Sequence, residues 1–109
     1  MKTNQNKVQL AGYAGMDIQV REFKKGSKVA RFTLGTHQGF KNKIGEWVNT
    51  TSWHKIVLWN ETADKAIKAV KKGLPILVTG RLTYRYYETQ NGEKRLLAEV
   101  LANDIELVA

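Results

Sequence analysis

Apolar residues along this chain recur mostly at every second position, in short runs broken by glycine-bearing turns. Lys7-Val8-Gln9-Leu10-Ala11-Gly12 opens with that alternation and predicts a first strand. Ile18 to Phe23 and Val29 to Thr36 flank Lys24-Lys25-Gly26-Ser27-Lys28, whose composition predicts a hairpin turn. Gly39 to Val48 mixes Phe40, Ile44 and Trp47 with polar residues and reads as a long exposed hairpin or loop. Thr51 to Trp59, rich in β-branched and aromatic residues, predicts another strand. Leu74 to Tyr87 and Lys94 to Leu101 are joined through Thr89-Gln90-Asn91-Gly92-Glu93. Asn-Gly suits a tight hairpin because both residues tolerate positive φ. A last apolar stretch runs from Ile105 to Val108.

One segment changes period. Ala63, Ala66, Ile67 and Val70 fall at i, i+3, i+4 and i+7, the apolar stripe of a helix. Asn60 is its expected N-cap, and Glu61 and Asp64 sit near the positive end of the helix dipole. Lys71-Lys72 are expected in the last turn and Gly73 as the left-handed cap, with Pro75 preventing continuation. About five strands with one helix between the third and fourth predict an all-β fold, an OB-type five-stranded Greek-key barrel. The pattern by itself also admits an SH3-like barrel or a small α+β domain.

Length and charge narrow the function. The 109 residues fit a single domain, taken here as 1–109. Eighteen Lys plus Arg against ten Asp plus Glu give a formal charge of +8, which favours a polyanionic partner. With no cysteine, a disulfide scaffold, a thiolate zinc site and a Cys nucleophile are excluded. No run approaches the ~18 apolar residues of a membrane span, and the polar start Met1 to Asn6 does not resemble a signal peptide. The expectation is a cytoplasmic, nucleoid-associated protein with no membrane partner.

Two strands carry candidate chemistry. In Trp53-His54-Lys55-Ile56-Val57-Leu58-Trp59, alternation puts Trp53, Lys55, Val57 and Trp59 on one face and His54, Ile56 and Leu58 on the other. The second face suits a barrel interior. The first offers two indoles with an ammonium between them, a stacking surface for bases with a cation for phosphate. In Arg81-Leu82-Thr83-Tyr84-Arg85-Tyr86-Tyr87 the odd positions gather Arg81, Thr83, Arg85 and Tyr87, with Leu82 and Tyr84 opposite. A guanidinium pairs with phosphate or lies flat on a base. The bland alternatives are buried tryptophans and merely solvated arginines; two faces of one kind on separate strands weigh against them. Further cations cluster in turns, with Phe40 and Trp47 close to Lys41 and Lys43; for Trp47, partner contact and packing back onto the barrel weigh equally.

Enzyme chemistry finds little support. No phosphate-cradling loop, GxSxG or HExxH motif is present, and neither His37 nor His54 has a carboxylate cluster at motif spacing. No catalytic residue, metal, cofactor or small-molecule substrate is expected. A metal-dependent nuclease on the same kind of barrel is the outside alternative.

Over essentially its whole length the chain resembles the bacterial single-stranded DNA-binding protein family, in its short form without the acidic C-terminal tail. The resemblance rests on Asn6 to Gly12, Val29 to Thr36, Thr51 to Trp59, Lys72-Gly73, Val78 to Leu82 and Gln90-Asn91-Gly92. It implies an OB-fold, usually a homotetramer, that binds single-stranded DNA with little sequence preference during replication, recombination and repair. The family's stacking aromatics fall on Phe40, Trp53, Trp59 and Tyr87, and its phosphate-contacting cations on Lys43, Lys55, Lys72 and Arg85; Arg81 joins them from the alternation. His54 and the strand around Asn6-Lys7-Val8 fall on the family's subunit interfaces. Departures are Ile18 where a proline often follows the aspartate, Tyr13 for a customary Asn, and Glu61 where a cation is common. Tail-mediated partners are not expected. A tail-less replication-restart accessory protein of the primosome type, usually dimeric, is the runner-up.

Overall fold

The computed structural model describes residues 4–108; Met1–Thr3 and Ala109, which the sequence reading assigns to the same domain, lie outside the described residues. The strands are β1 (Val8–Ala14), β2 (Gln19–Glu22), β3 (Lys28–Lys41), β4 (Trp47–Trp59), β5 (Pro75–Glu88) and β6 (Lys94–Leu107), with α1 (Asn60–Ala69) between β4 and β5. Five of them close a ring in the order β1-β5-β6-β4-β3, sealed where Tyr13 and Ala14 pair with Gly35 and Leu34. β2 lies outside the ring as a short hairpin partner of β3. The expected five-stranded barrel forms, and the helix lies between its third and fourth ring strands.

Alternation places the core. Ala30, Phe32 and Leu34 of β3, Ile56 and Leu58 of β4, Ile76 and Val78 of β5, and Val100, Ala102 and Ile105 of β6 point inward and are buried. Ala63 and Ala66 of α1, which packs on β3, β4 and β6, join the same core, as does Val70 just past its end. Ile67, expected in that stripe, stays partly exposed at its edge.

Both ends of α1 differ from the sequence expectation. Asn60 is the first helical residue rather than the cap; Trp59 occupies the cap position, with no side-chain hydrogen bond. The helix leaves β4 without a linker, so Asn60 takes positive φ (51°), and its Oδ1 accepts from the Lys28 N–H at 3.0 Å. At the other end the helix stops at Ala69, because Val70 turns extended to reach the core. Lys71, Lys72 and Gly73 therefore form a separate turn. Gly73 does have positive φ (87°), and its N–H donates to the Ala14 carbonyl, which ties the turn to β1. Two ion pairs hold α1 from outside, Lys28–Asp64 from β3 and Lys65–Asp104 from β6. Each hydrogen bond raises its lysine's pKa, and the one from Lys65 lowers that of Asp104.

Two hairpins outgrow the barrel. β3 and β4 stay in unbroken register from Val29–Trp59 to Lys41–Trp47, so the segment read as a loop or long hairpin is mostly strand. β5 and β6 pair out to Glu88–Lys94, with one bulge at Thr79/Gly80. β4 and β6 are parallel and joined only at Ile56–Val100 and Val57–Leu101. Beyond that contact the hairpins continue as two arms from the same end of the barrel. Leu82 and Tyr84, on the opposite face from Arg81 and Arg85, are consequently exposed rather than buried.

Candidate functional site

Register aligns one outer face across four strands. Gly35 of β3 lies opposite Trp53 of β4, and Thr33 opposite Lys55. On β5 and β6, Thr83 lies opposite Glu99, Arg85 opposite Leu97, and Tyr87 opposite Arg95. The β4–β6 pairing joins the halves, so Trp53, Lys55 and Trp59 share a surface with Arg81, Arg85 and Tyr87.

Trp53 is 60% exposed, yet it is held. A Cβ on Gly35 would lie 2.8 Å from its ring, and one on Gly15 would lie 2.3 Å away. The indole therefore rests against bare backbone, a position any larger residue would obstruct, and leaves its other face to solvent. Trp59 is held differently. Its ring stacks on Phe23 with centroids 6.0 Å apart and planes at 19°, while the Arg21 guanidinium lies 5.2 Å from the Phe23 ring centroid. Phe23, Trp59, Arg21, Arg31 and Arg85 line a concavity of about 420 Å³, a size that suits a small ligand or part of a larger one.

The charges are arranged unevenly. Lys55 and Arg81 are exposed. Arg85 is committed in part: its Nε donates to Glu99 Oε1 at 2.9 Å. Arg31 Nη1 lies 3.9 Å from the other oxygen of the same carboxylate and is shielded from solvent without a hydrogen-bond partner among the described residues. Glu99 is 7% exposed, so one nearly buried acid holds two guanidinium groups on a surface otherwise suited to anions.

The other predicted residues are scattered. Lys43 is in the turn at the tip of the β3–β4 arm, and Lys72 is in the turn between α1 and β5, where its backbone N–H donates to Asp17. Phe40 is exposed but shares the phase of Phe32 and Leu34, which puts it on the arm face opposite Trp53. His54 is half-buried, with Nε2 2.9 Å from Thr36 Oγ1. Asn6 extends β1 with its side chain: Nδ2 donates to the Leu82 carbonyl, and Oδ1 accepts from the Leu82 N–H. Lys7 is exposed and Val8 packs partly on the core. No cluster of three or more His, Cys, Asp or Glu suited to a metal occurs among the described residues.

Sequence reasoning missed Phe23, Arg31, Glu99, Gly15 and Gly35. Phe23 was legible as the end of a strand-like run, but its pairing with Trp59 needs the β2–β3–β4 adjacency. Glu99 lies in an alternating strand with nothing local to mark it as the ion-pair centre.

A closed OB-type barrel with open rings and cations on one outer face belongs to a class of binding domain for flexible, stackable polyanions. The chain belongs to the Single-strand binding protein family, whose model matches residues 5–108. It is 36% identical over 104 residues to Single-stranded DNA-binding protein 1 of Chlorobaculum tepidum, covering 94% of this chain and 64% of that one. It is 31% identical over 103 residues to the Single-stranded DNA-binding protein of Neisseria meningitidis, covering 94% and 59%. The chain thus spans about three-fifths of the length of these curated relatives. In structure it is similar to the Plasmodium falciparum SSB in complex with ssDNA, with TM-score 0.84, 27% identity, and coverage of 99% of this chain and 96% of that one.

Proposed function

We propose that this protein binds single-stranded DNA with little sequence preference and protects it during replication, recombination and repair. Bases stack on Trp53, Trp59 and Tyr87, while Lys55 and Arg81 meet phosphates and Arg85 contributes whatever its tie to Glu99 leaves free. Lys43 and Lys72 extend the cationic surface at the arm tip and beside α1. The observation that carries this reading is the Trp53 indole, fixed against Gly15 and Gly35 with its other face open and Lys55 two residues along the same strand. A ring so placed stacks with any base, because every base has a π-face.

Assembly as a homotetramer goes with this reading. From Val8 to Gly12, β1 bonds β5 on one side, and its pairing with β3 covers only Tyr13 and Ala14, which leaves an edge suited to a second copy. Asn6, Lys7 and Val8 would lie along that contact, and His54 at another. Soluble mass with and without a long single strand tests this: four chains support it, while two favour the restart-accessory alternative.

The binding experiment is titration of oligo-dT into the protein while following Trp fluorescence. Quenching is expected, with log K falling against log salt by about 0.7 for each phosphate neutralised. Unquenched fluorescence at low salt would overturn the stacking reading.

A further inference from the structure

The arm of β3 and β4 carries a second ring–cation unit. Trp47 is 68% exposed at the far end of β4, so it does not pack back on the barrel. The register from Val29–Trp59 to Lys41–Trp47 has no bulge, so Trp47, Asn49, Thr51, Trp53 and Lys55 share one alternation phase. The Lys41 Nζ lies 5.6 Å from the Trp47 ring centroid, directly across the hairpin. Gly39, which pairs with Asn49, lies diagonally beside the same ring, where an added Cβ would make ordinary contact at 3.7 Å; the ring is thus flanked by β3 but not seated on bare backbone as Trp53 is on Gly35. The barrel's combination of an open ring and a neighbouring ammonium thus recurs along the arm.

Resting on the DNA-binding reading, we propose that Trp47 and Lys41 form an additional stacking station that carries the path of the unpaired strand from the barrel out along this arm. Between them Trp53 and Trp47 span six residues of strand, about 20 Å, which several nucleotides can bridge. The polar side chains of Thr51 and Asn49 lie between the two rings and leave the route open to a hydrated backbone. Lys43, in the tip turn, is placed to meet the strand as it leaves. A nucleic acid is the fitting occupant because the indole is paired with a cation and is continuous with the Trp53 face.

The test compares oligo-dT of about 5 and about 16 nucleotides, the two ends of the range one such barrel occupies. Trp47→Ala should weaken the long strand by about 5- to 100-fold, the value of one lost stack, and leave the short one within about twofold. Trp47→Phe should recover most of the loss. Lys41→Ala should flatten the salt slope by about 0.7 on the long strand only. Wild-type binding at both lengths with no length-dependent gap in Trp47→Ala overturns this station alone. So does a change in the mass of the free Trp47→Ala protein, which would make Trp47 a contact between copies. A wild type that binds neither strand overturns the DNA reading and this one with it.

Discussion

Glu99 offers the sharpest perturbation of the binding face. Its carboxylate accepts from Arg85 Nε at 2.9 Å and sits 3.9 Å from Arg31 Nη1. Glu99→Gln preserves shape and an acceptor oxygen but removes the charge that occupies two guanidinium groups. Breaking a buried ion pair costs roughly 3–5 kcal/mol. The arginine side chains here are 46% and 39% exposed, so water replaces much of the lost attraction and each contact is worth ~1 kcal/mol or less. A total of ~1–2 kcal/mol leaves a domain of ordinary stability folded. On the binding side, the two released guanidinium groups can each neutralise a phosphate, steepening the salt slope by up to about 1.4. Between about 50 and 200 mM salt, the variant's advantage over wild type should then shrink by up to about sevenfold. Oligo-dT titrations at four salt concentrations, with a thermal melt of each protein, measure both quantities. Parallel slopes for variant and wild type would refute the claim that Glu99 competes with phosphate. Weaker binding at every salt would show instead that the acid's role is to orient Arg85.

Gly35→Ala should lift the Trp53 ring from its seat, since the new Cβ lies 2.8 Å from it; a several-fold loss of oligo-dT affinity with a near-normal melt is expected, and unchanged affinity would mean the seat is dispensable. Trp53→Ala should cost ~1–3 kcal/mol of binding, and Phe40→Ala distinctly less, because Phe40 occupies the other face of its arm; equal losses would show that the strand passes around the arm edge. Asp104→Asn should lower the melting temperature slightly near neutral pH. The Lys65 hydrogen bond depresses the folded pKa of Asp104, so its contribution is present above the ordinary value of 3.8 and disappears as pH falls through the lower folded value. Melts from about pH 7 down to about pH 2 should show the gap between variant and wild type closing; a gap that persists at the acid end contradicts the assignment.

The strands of the barrel were legible because a half-buried strand writes its faces into alternate positions, but an inward face was read only for β4, where Val57, placed with the open residues, is in fact buried. Trp53, Lys55 and Trp59 were read onto one side of β4 and lie there, with Ile56 and Leu58 on the other. Alternation does not say where a strand leaves the barrel, so it could not distinguish a loop from an arm between Gly39 and Val48. Nor could it see that the faces of β5 near Tyr84 are both wet. The helix ends were misplaced for a related reason: local capping signals at Asn60 and Gly73 were overridden by β4 running straight into α1 and by Val70 turning into the core. The ion pairs of Glu99 link β6 to β5 and to β3, separations of 14 and 68 positions along the chain, and no local pattern encodes them.

A binding face of this kind must hold its rings in place without hiding them, and the structure solves that twice by different means. Trp53 lies on backbone made accessible by two glycines; Trp59 lies on another ring. Both supports immobilise an indole before any ligand arrives, which lowers the side-chain entropy lost on binding. Both leave one flat face free, and a flat face does not discriminate among bases. The charges follow the same logic. In the proposed mode Lys55 and Arg81, exposed and without an ion pair among the described residues, would adjust to a phosphate wherever the strand places it, whereas Arg85 is tied to Glu99 and would meet a phosphate only in competition with that acid. In the proposed binding mode, weak sequence preference would therefore follow from how the side chains are supported: the fixed rings present surfaces common to all nucleotides, and the exposed cations would meet the backbone.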